Sequence, residues 1–164
     1  MDSNVIDATK VAHKIKKIRY IIDESYGSTN NEFNTSWVEI QAYNSVHTNV
    51  AYGKKVSANF HPMMDVTGQS DLSTIVNGQI SQREWVSCNI SLMKQLPAKI
   101  VIDLEKSQTD ITTLYLYHGW WTERSYKNKV YIAESLMHPI CIYDYEIHGL
   151  VYESVGKPLI IKLK

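Results

Sequence analysis

The sequence predicts an all-β antiparallel sandwich, and three patterns in the 164-residue chain predict it. First, several stretches alternate apolar and polar residues with the two-residue period of a strand, most clearly at residues 100–104 and 111–117. Second, these stretches are rich in β-branched and aromatic residues, which suit a pleated surface. Third, turn-forming segments rather than regular helices join the strands, which favours a sandwich over an alternating α/β fold.

The strands follow an N-terminal arm at residues 1–17, and together they predict one domain over residues 18–164. Apolar residues recur at helical spacing in the arm, so it is the one convincing helix candidate. The arm either packs on the domain or attaches it to a partner. Residues 18–22 and 36–43 indicate a hairpin-like pair around a polar loop. The other strand candidates lie at residues 83–92, 139–147 and 158–164.

Composition argues against several classes of function. Lysine plus arginine and aspartate plus glutamate number 17 each, so the formal net charge is zero and nucleic acid is not an expected partner. No apolar run approaches the roughly 18 residues of a membrane span, and no signal-peptide core follows Met1. We therefore expect neither membrane insertion nor secretion by that route.

Sequence motifs of catalysis are also missing, so we expect no enzyme and no catalytic residues. The chain has no zinc-protease, nucleophile-elbow or phosphate-loop motif. His138, Cys141, Asp144 and His148 form a loose cluster, but alternation places Cys141 within an apolar strand. A buried, inert thiol is the commoner state there.

The connection at residues 118–128, which follows the strand at 111–117, stands out because it holds aromatic and cationic side chains that folding alone does not require. Two adjacent tryptophans cannot both point into one sheet face, so at least one is expected to face a neighbouring loop or solvent. The connection contains His118, Trp120, Trp121, Arg124 and Tyr126.

Four strings in this chain resemble one family. NVAYGKKVSAN at 49–59 and VNGQISQREWVS at 76–87 resemble the opening and the D-G-N region of discoidin-like, or coagulation factor 5/8 type C, domains. KIVIDLEKSQTDITTLYLYH at 99–118 resembles the central strand pair of that family, and residues 18–43 resemble its closing hairpin. The resemblance implies a galactose-binding-domain-like jelly-roll sandwich.

The order of the strings is unusual, because the hairpin that closes the family's domains comes first here. The economical hypothesis is a circularly permuted sandwich in which residues 18–43 supply the strands missing after Lys164. This arrangement also resembles modules of tailed-phage virion proteins.

The resemblance implies a non-enzymatic module whose ligand, often a glycan, docks on loops at one end of the sandwich. Sugars are held by aromatic faces and by planar polar side chains that span adjacent hydroxyls. The alternative is that Trp121 and Tyr126 only cap the sandwich while Arg124 pairs with a carboxylate. Tyr26 is a weaker ligand-binding candidate, and Trp85 is more consistent with a core position.

The resemblance also implies a calcium site, since family members often hold structural calcium between the D-G-N loop and a closing-strand glutamate. Carried over, the ligands are Glu39, Asn77 and Ser81, completed by backbone carbonyls. Asn77 stands where the family has aspartate, which weakens the site. Calcium is thus a conceivable structural ion, no cofactor is required, and without a metal Asn77–Gly78 is simply a good turn.

The resemblance therefore implies a carbohydrate-binding or adhesion module of a phage virion, made in the host cytoplasm and contacting host-cell glycans. The alternative is a purely structural virion protein whose sandwich and arm bind other virion chains. Either role is compatible with an oligomeric assembly.

Overall fold

The structure is a computed structural model that describes residues 5–29, 34–61, 71–80, 88–91, 97–118, 125–152 and 157–164. Most of these residues lie in strands. The strands are β1 Val5–Asp7, β2 Ile18–Ser28, β3 Asn34–Asn44, β4 Lys55–Ala58, β5 Cys88–Ser91, β6 Ala98–Gln108, β7 Ile111–His118, β8 Ser125–Ala133, β9 Ile140–Asp144, β10 Val151–Tyr152 and β11 Leu159–Lys162; the helices are α1 Thr9–Ala12, α2 Tyr145–His148 and a 3₁₀ helix, Leu72–Val76.

Two sheets pack as a sandwich, which confirms the predicted β-sandwich class. The five-stranded sheet has the order β1-β11-β7-β3-β5. The six-stranded sheet has the order β10-β8-β2-β6-β4, with β9 also paired to β8. Strands β1 and β11 run parallel, and the other strand pairs in the described part of the chain are antiparallel.

Strands that follow one another along the chain repeatedly lie in opposite sheets. β2 is central in the six-stranded sheet and β3 lies in the five-stranded one, so the predicted hairpin over residues 18–43 is wrong. β6 and β7 likewise belong to different sheets. Alternation shows which face of a strand is buried, but it does not show which strand is its neighbour.

The core lies between the sheets and is formed by the apolar rows that alternation predicted. In β6 every second side chain from Ala98 to Leu104 is buried, and in β7 Leu114 and Leu116 are fully buried. Ile132 of β8 and Ile161 of β11 face the same interior. Burial of apolar side chains contributes about 1.5 to 3 kcal/mol each.

The N-terminal arm packs on this sandwich, but the predicted helix is largely wrong. Val5–Asp7 pairs with β11, and the helix has only four residues. Just before the helix, the Asp7 carboxylate accepts hydrogen bonds from the backbone N–H and the hydroxyl of Thr9, a local turn that ends β1. Ala8 and Ala12 are buried in the core.

Two weaker strand predictions are shortened in the structure. The strand predicted at 139–147 ends at Asp144, whose side chain caps α2 by accepting the N–H of Glu146 at 2.9 Å. Of residues 83–92, Cys88–Ser91 form β5 against the start of β3. The remainder of that stretch lies outside the described residues.

Candidate functional site

Two of the five loop candidates are described, and both are buried at the base of the loop. His118 ends β7 and is 5% exposed; Tyr126, the second residue of β8, is 0% exposed. Their rings stack at 5.4 Å between centroids with a 27° interplanar angle. Trp120, Trp121 and Arg124 lie outside the described residues.

A buried carboxylate next to His118 joins the two sheets. Asp23 of β2 is fully buried in the six-stranded sheet. Its Oδ2 accepts the indole N–H of Trp37, on β3 of the other sheet, at 2.9 Å. Its Oδ1 accepts the side-chain N–H of Asn128 at 2.7 Å. Hydrogen bonds to a charged group are stronger than neutral ones, so Asp23 is a cross-link between the sheets.

His118 extends the same network to the end of β7. Its Nε2 lies 3.1 Å from the Asn128 amide nitrogen and 3.5 Å from Asp23 Oδ2. His118 Nδ1 and Asn128 Oδ1 are buried and make no hydrogen bond within the described ranges. We call Asp23, Trp37, His118 and Asn128 the polar base. It ties the ends of both strands that flank residues 119–124.

A β-bulge directs Trp37 into the polar base. The sequence pattern placed Trp37 on the same strand face as Glu39, which is wrong. Trp37 pairs with His118 and Glu39 with Tyr117, so the register shifts between them and the bulged strand turns Trp37 inward. The indole stacks on the ring of Phe60 at 5.9 Å.

Tyr26 lies within β2 and not in the loop where the sequence placed it, because β2 continues to Ser28. Its half-buried ring lies 5.9 Å from that of Tyr145, and the Lys129 ammonium lies 5.5 Å from the Tyr26 ring centroid. Burial raises the pKa of the Tyr26 hydroxyl. The ring is held by these contacts on the six-stranded sheet, where Ser28 pairs with Tyr126.

The structure brings together two of the three residues suggested for calcium. Glu39 is fully buried, and its Oε1 accepts the backbone N–H of Gly78 at 2.8 Å. Asn77 Oδ1 accepts the N–H of Gln79 at 2.9 Å. Both oxygens therefore face N–H donors, whereas calcium needs six to eight oxygen ligands. Ser81 lies outside the described residues.

This geometry fits a hydrogen-bonded carboxyl group better than a calcium shell. Within the described ranges, no group of three or more histidine, cysteine, aspartate or glutamate side chains could hold a metal ion. Glu39 Oε2 is buried and makes no hydrogen bond in the described part. Calcium binding at Glu39 stays a prediction, and we derive no function from it.

Glu39 should make the stability of the protein depend on pH. Burial raises the pKa of Glu39 from 4.5 to about 7. Because the folded state holds this proton more tightly than the unfolded state, stability is highest below about pH 4.5 and falls as the pH rises to about 7. The expected loss is about 3 kcal/mol across that window, at 1.36 kcal/mol per pKa unit.

Denaturation curves of Glu39→Gln and the wild type between pH 4 and 8 test this prediction. The variant should lose less stability over that window, while Glu134→Gln, on an exposed turn, should follow the wild type. Parallel curves for Glu39→Gln and wild type would contradict it. If added calcium stabilises the wild type but not Glu39→Gln, the ion-binding interpretation is correct instead.

The surroundings of Cys141 do not favour a thiolate. The thiol is partly buried and lies 3.3 Å from the carbonyl oxygen of Tyr143, and burial raises its pKa. A catalytic thiol needs the opposite shift.

The residues of the polar base that sequence reasoning missed are Asp23, Trp37 and Asn128. In the sequence, Asp23 follows an apolar stretch and resembles the first residue of a polar loop. Its partners Trp37 and Asn128 lie 14 and 105 positions further along the chain, and nothing in the local pattern pairs Asp23 with them. The only available signal was a tryptophan in a strand, whose indole N–H needs an acceptor when buried.

In the described residues, no helix is long and apolar enough to cross a membrane. No family model, curated protein or solved structure matches this chain.

Proposed function

We propose that this protein is a non-enzymatic carbohydrate-binding module whose ligand docks on the loop at residues 119–124. The observation that carries the proposal is the polar base. Asp23 accepts hydrogen bonds from Trp37 of one sheet and Asn128 of the other, and Asn128 contacts His118, so the end of β7 and the first half of β8 are held together on either side of residues 119–124. Recognition sites work best when rigid elements position them.

The chemistry of the loop suits a saccharide. An indole face of Trp120 or Trp121 offers stacking area for the C–H patches of a sugar ring, and Arg124 offers a planar fork of donors for adjacent hydroxyls. His118 and Tyr126 are buried, so we assign them a supporting role beneath the loop.

A discoidin-like, circularly permuted jelly roll is the finer form of the fold that we propose. The central positions of β2 and β3 in the two sheets support it, because residues 18–43 must belong to the main sheets if they replace the missing closing strands. The proximity of Glu39 to Asn77–Gly78 also supports it, since the family places a strand glutamate beside its D-G-N loop.

We also propose a phage virion as the place where the module acts. The support is the resemblance of the permuted motif order to tailed-phage modules. In the structure the arm pairs with β11 of its own domain. This pairing favours an adhesion module over a structural protein whose arm attaches to another chain. Mass spectrometry of purified particles should detect the protein in fixed stoichiometry, and its absence would contradict this location.

A glycan array with wild type and Trp121→Ala tests the proposed function. The wild type should bind at least one glycan, and Trp121→Ala should lose that binding with nearly unchanged thermal unfolding. Tyr52→Ala removes a 63% exposed aromatic side chain elsewhere and should bind normally. Loss of folding in Trp121→Ala would indicate a structural cap, and no glycan bound by the wild type would contradict the proposal.

A further inference from the structure

A groove on the outer face of the five-stranded sheet is lined by aromatic and polar side chains. Adjacent strands β3 and β7 place residues in facing rows there, with Gln41 opposite Tyr115 and Tyr43 opposite Thr113. Since alternate residues of a strand share one face, the rows combine into one surface. The residues that line it include Gln41, Tyr43, His47, Thr113, Tyr115 and Tyr117.

The tyrosine rings form a corner in this groove. The rings of Tyr43 and Tyr115 lie 5.3 Å apart with an interplanar angle of 83°, so one ring meets the other edge-on. Both rings are half-buried, which leaves part of each open to solvent. A flat, apolar ring face beside a second ring is the surface on which the C–H side of a pyranose packs.

Hydrogen bonds hold the polar side chains of the corner in place. The Tyr43 hydroxyl donates to Gln41 Oε1 at 3.0 Å. Gln41 is 7% exposed, so its amide is held by close packing as well as by this hydrogen bond. The oxygen of the Tyr43 hydroxyl and the hydroxyl of Thr113 remain able to bond to ligand hydroxyls.

His47 closes one end of the groove from a strained turn. Its φ is 59°, a left-handed conformation that residues other than glycine seldom adopt. Asn44 holds the turn, because its side-chain oxygen accepts the N–H groups of Val46 and Thr48 at 3.1 and 2.9 Å. Such strain is concentrated at functional sites. The exposed imidazole adds a donor and acceptor beside the tyrosines.

The charge and the size of the groove indicate which class of ligand it binds. Within the described part of the chain, the residues that line the groove include no lysine, arginine, aspartate or glutamate, which favours a neutral ligand over a phosphate, a carboxylate or a basic peptide. Its volume of about 240 Å³ is below the roughly 300 to 1,000 Å³ of sites that enclose drug-sized ligands. A single ring of a longer ligand fits that size.

We propose that this groove binds one residue of a neutral saccharide, as a second site whose binding residues differ from those at 119–124. The choice of a saccharide as the ligand rests on the proposed function, whereas the location of the site rests on the groove itself. The sugar ring packs on the Tyr43–Tyr115 corner, and its hydroxyls bond to Thr113, His47 and the Tyr43 hydroxyl.

Isothermal titration of the full chain with neutral oligosaccharides, such as galactan, glucan and mannan fragments, tests the groove. Tyr115→Ala should weaken binding at the groove about tenfold, which corresponds to about 1.4 kcal/mol, since it removes a ring on which the sugar packs. Tyr20→Ala, which removes a half-buried tyrosine of the six-stranded sheet, should bind as wild type does.

A second variant tests the groove even if Tyr115→Ala fails to fold. His47→Gly relieves the left-handed strain, so its thermal midpoint should equal or exceed that of the wild type while groove affinity falls several-fold. The groove proposal is overturned if both groove variants bind as wild type does, or if only sulfated glycans or peptides bind. Binding that survives Tyr115→Ala but not Trp121→Ala leaves the proposed function intact and removes only the groove.

Discussion

Replacement of Asp23 by alanine is expected to lower the free energy of unfolding by about 3 to 5 kcal/mol. The carboxylate is fully buried, and its removal leaves the Trp37 indole N–H and the Asn128 amide without their acceptor. Each buried donor that loses its partner costs about 1 to 3 kcal/mol. Urea denaturation should show a lower midpoint with an unchanged slope.

Asp103→Ala is the matched control for this substitution. Asp103 of β6 is also a strand aspartate, but its side chain is 25% exposed and pairs with Arg19 at 3.0 Å on the surface. Exposed ion pairs of this kind contribute about 0 to 1 kcal/mol. Equal losses for Asp23→Ala and Asp103→Ala would contradict the role that we assign to the polar base.

Replacement of Trp37 by alanine should have a comparable effect, with a loss of about 3 to 5 kcal/mol. The indole is fully buried and stacks nearly parallel on Phe60, at an interplanar angle of 1°. Its removal leaves a large cavity between the sheets and breaks the hydrogen bond to Asp23. The same denaturation measurement checks this prediction.

Trp37→Phe separates packing from hydrogen bonding, because it keeps an aromatic ring and removes the N–H donor. It should therefore cost less than Trp37→Ala. Combined with Asp23→Ala, it should give a non-additive loss, with a coupling energy of about 1 kcal/mol or more. Additive losses would show that the hydrogen bond across the sheets contributes nothing measurable.

The sequence allowed the positions of the strands to be predicted better than their partners. Alternation in β6 matches its buried row, because a strand that packs on one side repeats every two residues, whereas in β7 residues of both faces are buried. It could not reveal that β2 and β3 face each other across the core, since the pattern is the same whether a neighbour lies beside a strand or opposite it. The parallel pairing of Val5–Asp7 with β11 joins the two ends of the chain and has no local signal.

Details of the candidate site depended on contacts that local patterns do not encode. Trp37 turns inward only because a bulge adds one residue to β3 opposite β7, and alternation assumes an unbroken register. The tyrosine groove, by contrast, left a visible signal. Tyr43, Tyr115 and Tyr117 stand at alternate positions in two predicted strands, but their proximity follows only from the pairing of β3 with β7.

The most direct test of the central claim is a two-dimensional NMR titration of the full chain with a neutral oligosaccharide that it binds on the array. The indole N–H signals of Trp120 and Trp121 should shift and saturate, while the signal of Trp37, held by Asp23, should stay in place. The saccharide should be recovered intact. The absence of a saturable shift at the Trp120 and Trp121 indoles, or conversion of the sugar to a product, would contradict a non-enzymatic carbohydrate-binding module built on this loop.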